Sequence, residues 1–149
     1  MNLKAENDPI GSPFRIVPVA LSLSKMLLKM VDSSDSLVIP FDVAVVESVV
    51  TYLNHHQGTI PVLIMKPLRS KLMIDNCADA WDASFIDRAG AKRLQLFNLI
   101  LAANYLAIPS LVDLGCAKVA SLIKAEPLEL FETILWTDDD YDEQANLVS

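Results

Sequence analysis

Residues 93–123 read RLQLFNLILAANYLAIPSLVDLGCAKVASLI, and the fold turns on how this stretch is divided. Leu96, Phe97, Leu99, Ile100, Leu101, Ala102, Ala103, Tyr105 and Leu106 leave a helix with almost no polar side. This predicts a central helix surrounded by protein on most sides. Ile108-Pro109-Ser110 interrupts it, and Pro109 suits the first turn of a second helix, where a missing N–H deprives no partner. In that second helix Val112, Cys116, Val119, Ala120 and Ile123 form one stripe, with Asp113, Lys118, Ser121 and Lys124 kept off it. On spacing alone such a stripe reads as ordinary core.

Working outward toward the N-terminus, residues 2–6 and 13–19 read as two short strands around the turn-like Asn7–Gly11. Phe14 and Ile16 alternate with Arg15 and Val17, and Pro18 ends the second strand or places it at an edge. A helix follows with Ser22 as its expected N-cap and Leu23, Met26, Leu27, Met30 and Val31 on one buried face. After the loop Asp32–Ser36, Leu37-Val38-Ile39 reads as a short buried strand. Asp42 caps the next helix, where Val46, Val49, Val50 and Leu53 keep helical spacing despite their strand propensity. The order ββα, βα, then long helices indicates an α+β fold.

Residues 57–80 form an atypical loop: Ile60-Pro61-Val62-Leu63-Ile64-Met65 is apolar and Lys66, Arg69 and Lys71 follow it. Apolar side chains left in water are costly, so this segment is expected to pack on the domain or on another chain. Beyond Lys124, Glu126-Pro127-Leu128-Glu129 begins a further helix with Leu128, Phe131, Ile134 and Leu135 on one side. Asp138, Asp139, Asp140, Asp142 and Glu143 then make an acidic tail, read either as solvated chain or as a segment that orders on a partner.

At 149 residues and 52% hydrophobic composition the chain is expected to be one folded domain. A net charge of −7 argues against nucleic acid as a partner, because phosphates demand clustered Lys and Arg. No apolar run reaches the length of a membrane span and the first residues are too polar for a signal peptide, so the expectation is an intracellular protein, cytoplasmic and/or nuclear. Cys77 falls in a loop and Cys116 on the apparent buried face of its helix; both read as reduced thiols. His55 and His56 do not make a zinc motif: adjacent histidines are expected to diverge from a helix end, and neither cysteine has a C-x-x-C partner. With no nucleophile elbow, phosphate loop or H-E-x-x-H, no enzyme and no cofactor are expected.

LILAANYLAIPSLVDLGCAKVASLIK resembles the corresponding run of the S-phase kinase-associated (Skp) adaptor family, small proteins that link a cullin scaffold to F-box proteins in SCF-type ubiquitin ligases. ILAANYL followed at fixed distance by a C-x-x-V-A helix carries the resemblance, and weaker matches extend it over most of the chain. Phe14, Ser24, Met30, Pro40, Tyr52 and the pair His55-His56 fall at matching positions of a BTB/POZ-type domain, and Trp81-Asp82 with Phe85-Ile86 resembles the family's W-D-x-x-F-L. The resemblance implies a BTB/POZ-like cullin-binding part, 1–106, with Asn104 and Tyr105 facing the cullin. It further implies C-terminal helices, 107–149, that receive the F-box through Val112, Cys116, Val119, Ile123, Pro127, Phe131 and Ile134.

The chain departs from the family in its apolar 60–65 segment, where acidic residues are usual, in Ala107, which takes the place of an Asp, and in lacking a helix with a late Trp, for which Trp136 comes too early. The expected function is that of a non-catalytic adaptor. Two alternatives stand beside it: an Elongin C-like adaptor, which the helices after ILAANYL argue against, and a structural BTB protein that self-associates as a homodimer through 60–65.

Overall fold

Strand β1 (Asn2–Ala5) is the middle of a three-stranded mixed sheet in the computed structural model, which describes residues 1–6 and 13–125. It pairs antiparallel with β2 (Phe14–Arg15), Leu3 opposite Phe14, and parallel with β3 (Ser36–Ile39), Leu3 opposite Leu37 and Ala5 opposite Ile39. The alternation of one buried and one outward side chain follows from the pleat: Leu3, Ala5 and Ile39 are buried while Val38 is 53% exposed. The strand 37–39, expected to be buried throughout, is thus an outer strand with one face on the core. The turn at residues 7–11 and everything expected beyond Ala125, including the further helix and the acidic tail, lie outside the described residues.

Among the described residues five α-helices follow and interleave with the strands: α1 (Lys25–Met30), α2 (Val43–His56), α3 (Ala80–Ala89), α4 (Arg93–Tyr105) and α5 (Pro109–Ala125). This is the α+β class expected from the sequence, a small sheet with helices in BTB/POZ-like order. Asp42 caps α2 as anticipated, its Oδ1 accepting the Val45 N–H at 3.0 Å, and Val46, Val49, Val50 and Leu53 are buried. Asn54 on the same helix holds the start of the chain: its Oδ1 accepts the Val17 N–H and its Nδ2 donates to the Arg15 carbonyl, both at 2.9 Å.

The cap of α1 is Ser24, not Ser22. Residues Pro18–Leu23 form a 3₁₀ turn that absorbs Ser22, and the fully buried Ser24 hydroxyl accepts the Leu27 N–H and donates to the Leu106 carbonyl. Helix α4 is less enclosed than its composition suggests: Leu96, Leu99, Ala102 and Ala103 are buried, but Leu101 is 56% exposed. It packs on α2 on one side and α5 on the other, and Leu111, Leu114 and Ala117 of α5 join the same continuous core as β1 and α2.

Candidate interaction surface on helices α4 and α5

The face of α5 turned to the core is made by Leu111, Leu114, Ala117 and Ser121, with Gly115 set against Ile100 of α4 so closely that a β-carbon at that position would collide with the isoleucine. The stripe singled out from the sequence is a second one, rotated away from that contact. Val112 and Val119 are half-buried at its margin, and Cys116 and Ile123 are exposed. Two corrections follow. Cys116 does not lie on a buried face, and Ser121, expected off the apolar side, is buried with its hydroxyl donating to the Lys118 carbonyl at 2.7 Å. An apolar row beside a completed core stripe is available to something outside the core. Pro127, Phe131 and Ile134 fall outside the described residues.

At the corner between the helices Ala107 adopts φ 54°, a left-handed turn that reverses the chain into Pro109. Asn104 and Tyr105 are both exposed just before it, and they point to different places. Asn104, which the family resemblance gives to the cullin, shares a shallow depression of about 480 Å³ with Val112 and Cys116, which it gives to the F-box. Tyr105 instead meets Phe41 edge-on, ring centroids 6.0 Å apart. Lys66 spans the rim of this depression to Asp113 at 2.9 Å, and that hydrogen bond raises the lysine's pKa. On the far side Lys118 bonds Asp87 at 2.8 Å and ties α5 to α3.

Of the two expectations for the apolar loop, packing on the domain holds at one residue of 60–65. Ile64 alone is buried, whereas Ile60, Val62, Leu63 and Met65 are 66–78% exposed. Residues 60–64 border a cavity of about 430 Å³ between α2, α5 and the start of α3. Cys77 sits there half-buried, and desolvation, then the negative charge of Asp82, pushes its thiol up to about 11.

The two histidines do not diverge. His55 Nε2 lies 3.2 Å from Asp79 Oδ2 and His56 Nε2 lies 2.6 Å from Asp82 Oδ1, with the ring of His55 stacked on Trp81 at 3.6 Å. Asp79 caps α3 by accepting the Trp81 N–H, the main cause of its lowered pKa. Asp82 is shifted the other way, because burial outweighs its bond to His56. Among the described residues no helix is long and apolar enough to cross a membrane.

No family model matches the chain. Individual relatives do. The S-phase kinase-associated protein 1 homolog of Tetrahymena thermophila is 40% identical over 103 residues, which cover 68% of this chain and 60% of the relative. The E3 ubiquitin ligase complex SCF subunit sconC of Arthroderma otae is 33% identical over 116 residues, 76% of this chain and 68% of the relative. The protein of the same name from Neosartorya fischeri is 30% identical over 116 residues, 76% of this chain and 70% of the relative. The chain therefore spans 60–70% of the length of these curated relatives. With identities at this level over 68–76% of its length, on an α+β framework of the BTB/POZ type, the chain belongs to the Skp family of SCF ubiquitin ligase subunits.

Proposed function

We propose that this chain acts as a non-catalytic SCF adaptor, holding an F-box substrate receptor on a cullin scaffold. The observation that carries the reading is the outer stripe of α5, apolar but only half-buried at Val112 and Val119 and exposed at Cys116 and Ile123, in a chain of this family. Residues 1–106 take the cullin, with the exposed Asn104 and Tyr105 among its contacts, and 107–149 take the F-box, through Val112, Cys116, Val119 and Ile123 and through Pro127, Phe131 and Ile134 beyond the described residues. The division is one of partners, since α5 shares its core with α4. The mechanism is geometric: fixing the receptor at a set distance from the ligase's catalytic end raises the effective concentration of target lysines. No cofactor enters it.

Co-expression with a generic F-box helical segment, then pull-down with a cullin N-terminal domain, tests this. The expected result is a ternary complex. Cys116→Asp and Ile123→Asp are the discriminating variants, because both side chains are exposed, whereas Val119 also packs on the core. Burying an aliphatic anchor is worth about 1.5–3 kcal/mol, so each variant is expected to weaken F-box capture by roughly tenfold or more. Capture unchanged in both places the groove elsewhere; binding of neither partner overturns the adaptor reading. A second reading, self-association, rests on the exposure of Ile60, Val62, Leu63 and Met65. Light scattering that shows a tight homodimer insensitive to added F-box peptide selects it.

A further inference from the structure

The junction of α2 and α3 carries a constellation that the adaptor surface does not use. His55 and His56 end one helix, Asp79 caps the next, and the ligating atoms of these three side chains all lie within 4.8 Å of one another. Each is held from outside. Asp79 Oδ1 accepts the Trp81 N–H at 2.9 Å, which leaves Oδ2 facing His55. His55 lies flat on the Trp81 indole, ring planes 5° apart. His56 is fixed by Asp82 in a pair whose side chains are 7% and 8% exposed, and Tyr52 packs against its ring.

We propose that His55, His56 and Asp79 form a binding site for one divalent transition-metal ion of the zinc class, with Asp82 as the carboxylate that orients His56. Two imidazoles and one carboxylate suit zinc, copper or nickel; calcium and magnesium take oxygen ligands. Metal–ligand distances of about 2.0–2.1 Å place neighbouring ligand atoms of a tetrahedron about 3.3 Å apart. The His55–Asp79 separation of 3.2 Å already matches that edge, and the ion replaces the proton shared between them. Asp82 occupies Nε2 of His56, so the ion is assigned to Nδ1. A carboxylate on the far nitrogen of a ligating imidazole fixes its tautomer and orientation, and Asp82 stands in that position.

Three protein ligands leave a fourth position, and two of them, His56 and Asp79, also line the neighbouring cavity. Water or a partner's side chain fills that fourth position. The ion would join residues on either side of the loop between α2 and α3, and so would fix the base from which the exposed 60–65 segment projects.

The test uses the full chain after treatment with chelator. Zinc chloride is titrated by calorimetry and cobalt(II) by visible absorption. One ion per chain is expected, with cobalt bands of a low-coordinate nitrogen–oxygen site and a rise in melting temperature at saturating zinc. His55→Ala and Asp79→Asn, at the more exposed end of the cluster, are each expected to weaken binding about tenfold or more and to abolish that rise. Cys77→Ser and Cys116→Ser are expected to leave affinity unchanged. His56→Gln perturbs a buried pair, so the decision rests on the other two variants. Absence of saturable binding, binding retained in both His55→Ala and Asp79→Asn, or binding lost in the cysteine variants overturns the proposal.

Discussion

Replacing Ser24 with Ala should unlock the corner between α4 and α5, although Ser24 belongs to neither helix. Its hydroxyl is fully buried, accepts the Leu27 N–H at 3.1 Å as the cap of α1, and donates to the Leu106 carbonyl at 2.5 Å. The next residue repeats the link, Lys25 N–H to the Ala107 carbonyl at 3.1 Å. Losing the cap costs about 1 kcal/mol. Depriving the buried Leu106 carbonyl of its donor adds about 1–3 kcal/mol. The combined loss of about 2–4 kcal/mol is large against the stability of a domain of this size and corresponds to a fall in melting temperature of roughly 6–12 °C. Urea unfolding followed by tryptophan fluorescence measures it; an unchanged slope against urea would show that the native and unfolded states keep their compactness. Ser22→Ala is the control, because the Ser22 hydroxyl is exposed and reaches only the Val19 and Gly58 carbonyls at 3.3 Å. It should stay within about 0.5 kcal/mol of the parent. A Ser24→Ala protein as stable as the parent, or a Ser22→Ala protein equally damaged, would refute this account of the corner.

One further substitution and one labelling reaction follow from the packing. Gly115→Val should drive a side chain into Ile100 and separate α5 from α4, at a cost of about 2 kcal/mol in chemical denaturation; a neutral outcome would mean that the helices do not meet there. The two thiols should label unequally at pH 8: Cys116 is exposed, whereas Cys77, raised to about 11, presents about one thiolate in a thousand. Peptide mass mapping after brief alkylation should find the adduct on Cys116, and equal labelling would contradict the burial of Cys77.

Where sequence and fold agree, a local rule and a tertiary demand coincide. Helix α2 is rich in valine, yet Asp42 supplies a cap and Val46, Val49, Val50 and Leu53 recur at helical spacing, so propensity yields to pattern. The disagreements arise where the deciding partner is far along the chain. Ser22 and Ser24 both precede the apolar run of α1. What selects Ser24 is the Leu106 carbonyl, 82 residues away, and the Pro18 turn that consumes Ser22. Similarly, Leu37-Val38-Ile39 reads as buried because all three are apolar, but a strand at the end of the order β2-β1-β3 covers the core with one face only.

The candidate site divides along the same line. Helix α5 is apolar on an arc wide enough for two rows, and periodicity alone identified the row Val112, Cys116, Val119, Ile123 without saying which way it faces. The direction comes from Gly115: it lies between Leu114 and Cys116 in sequence, and only its missing side chain lets α4 approach on that side. Leu111, Leu114 and Ala117 then close the core, and the row marked by family resemblance lies at its margin, half-buried at Val112 and Val119 and exposed at Cys116 and Ile123. The histidine pair shows the limit from the opposite direction. His55 and His56 were legible, but their carboxylate partners are 24 and 26 residues on. Asp79 and Asp82 straddle Trp81 as a cap and a first-turn acid, ordinary features of a helix start. Only the meeting of two helix ends makes four unremarkable residues into one cluster, and that meeting is fixed by Tyr52, Trp81 and Phe85 stacking beneath it.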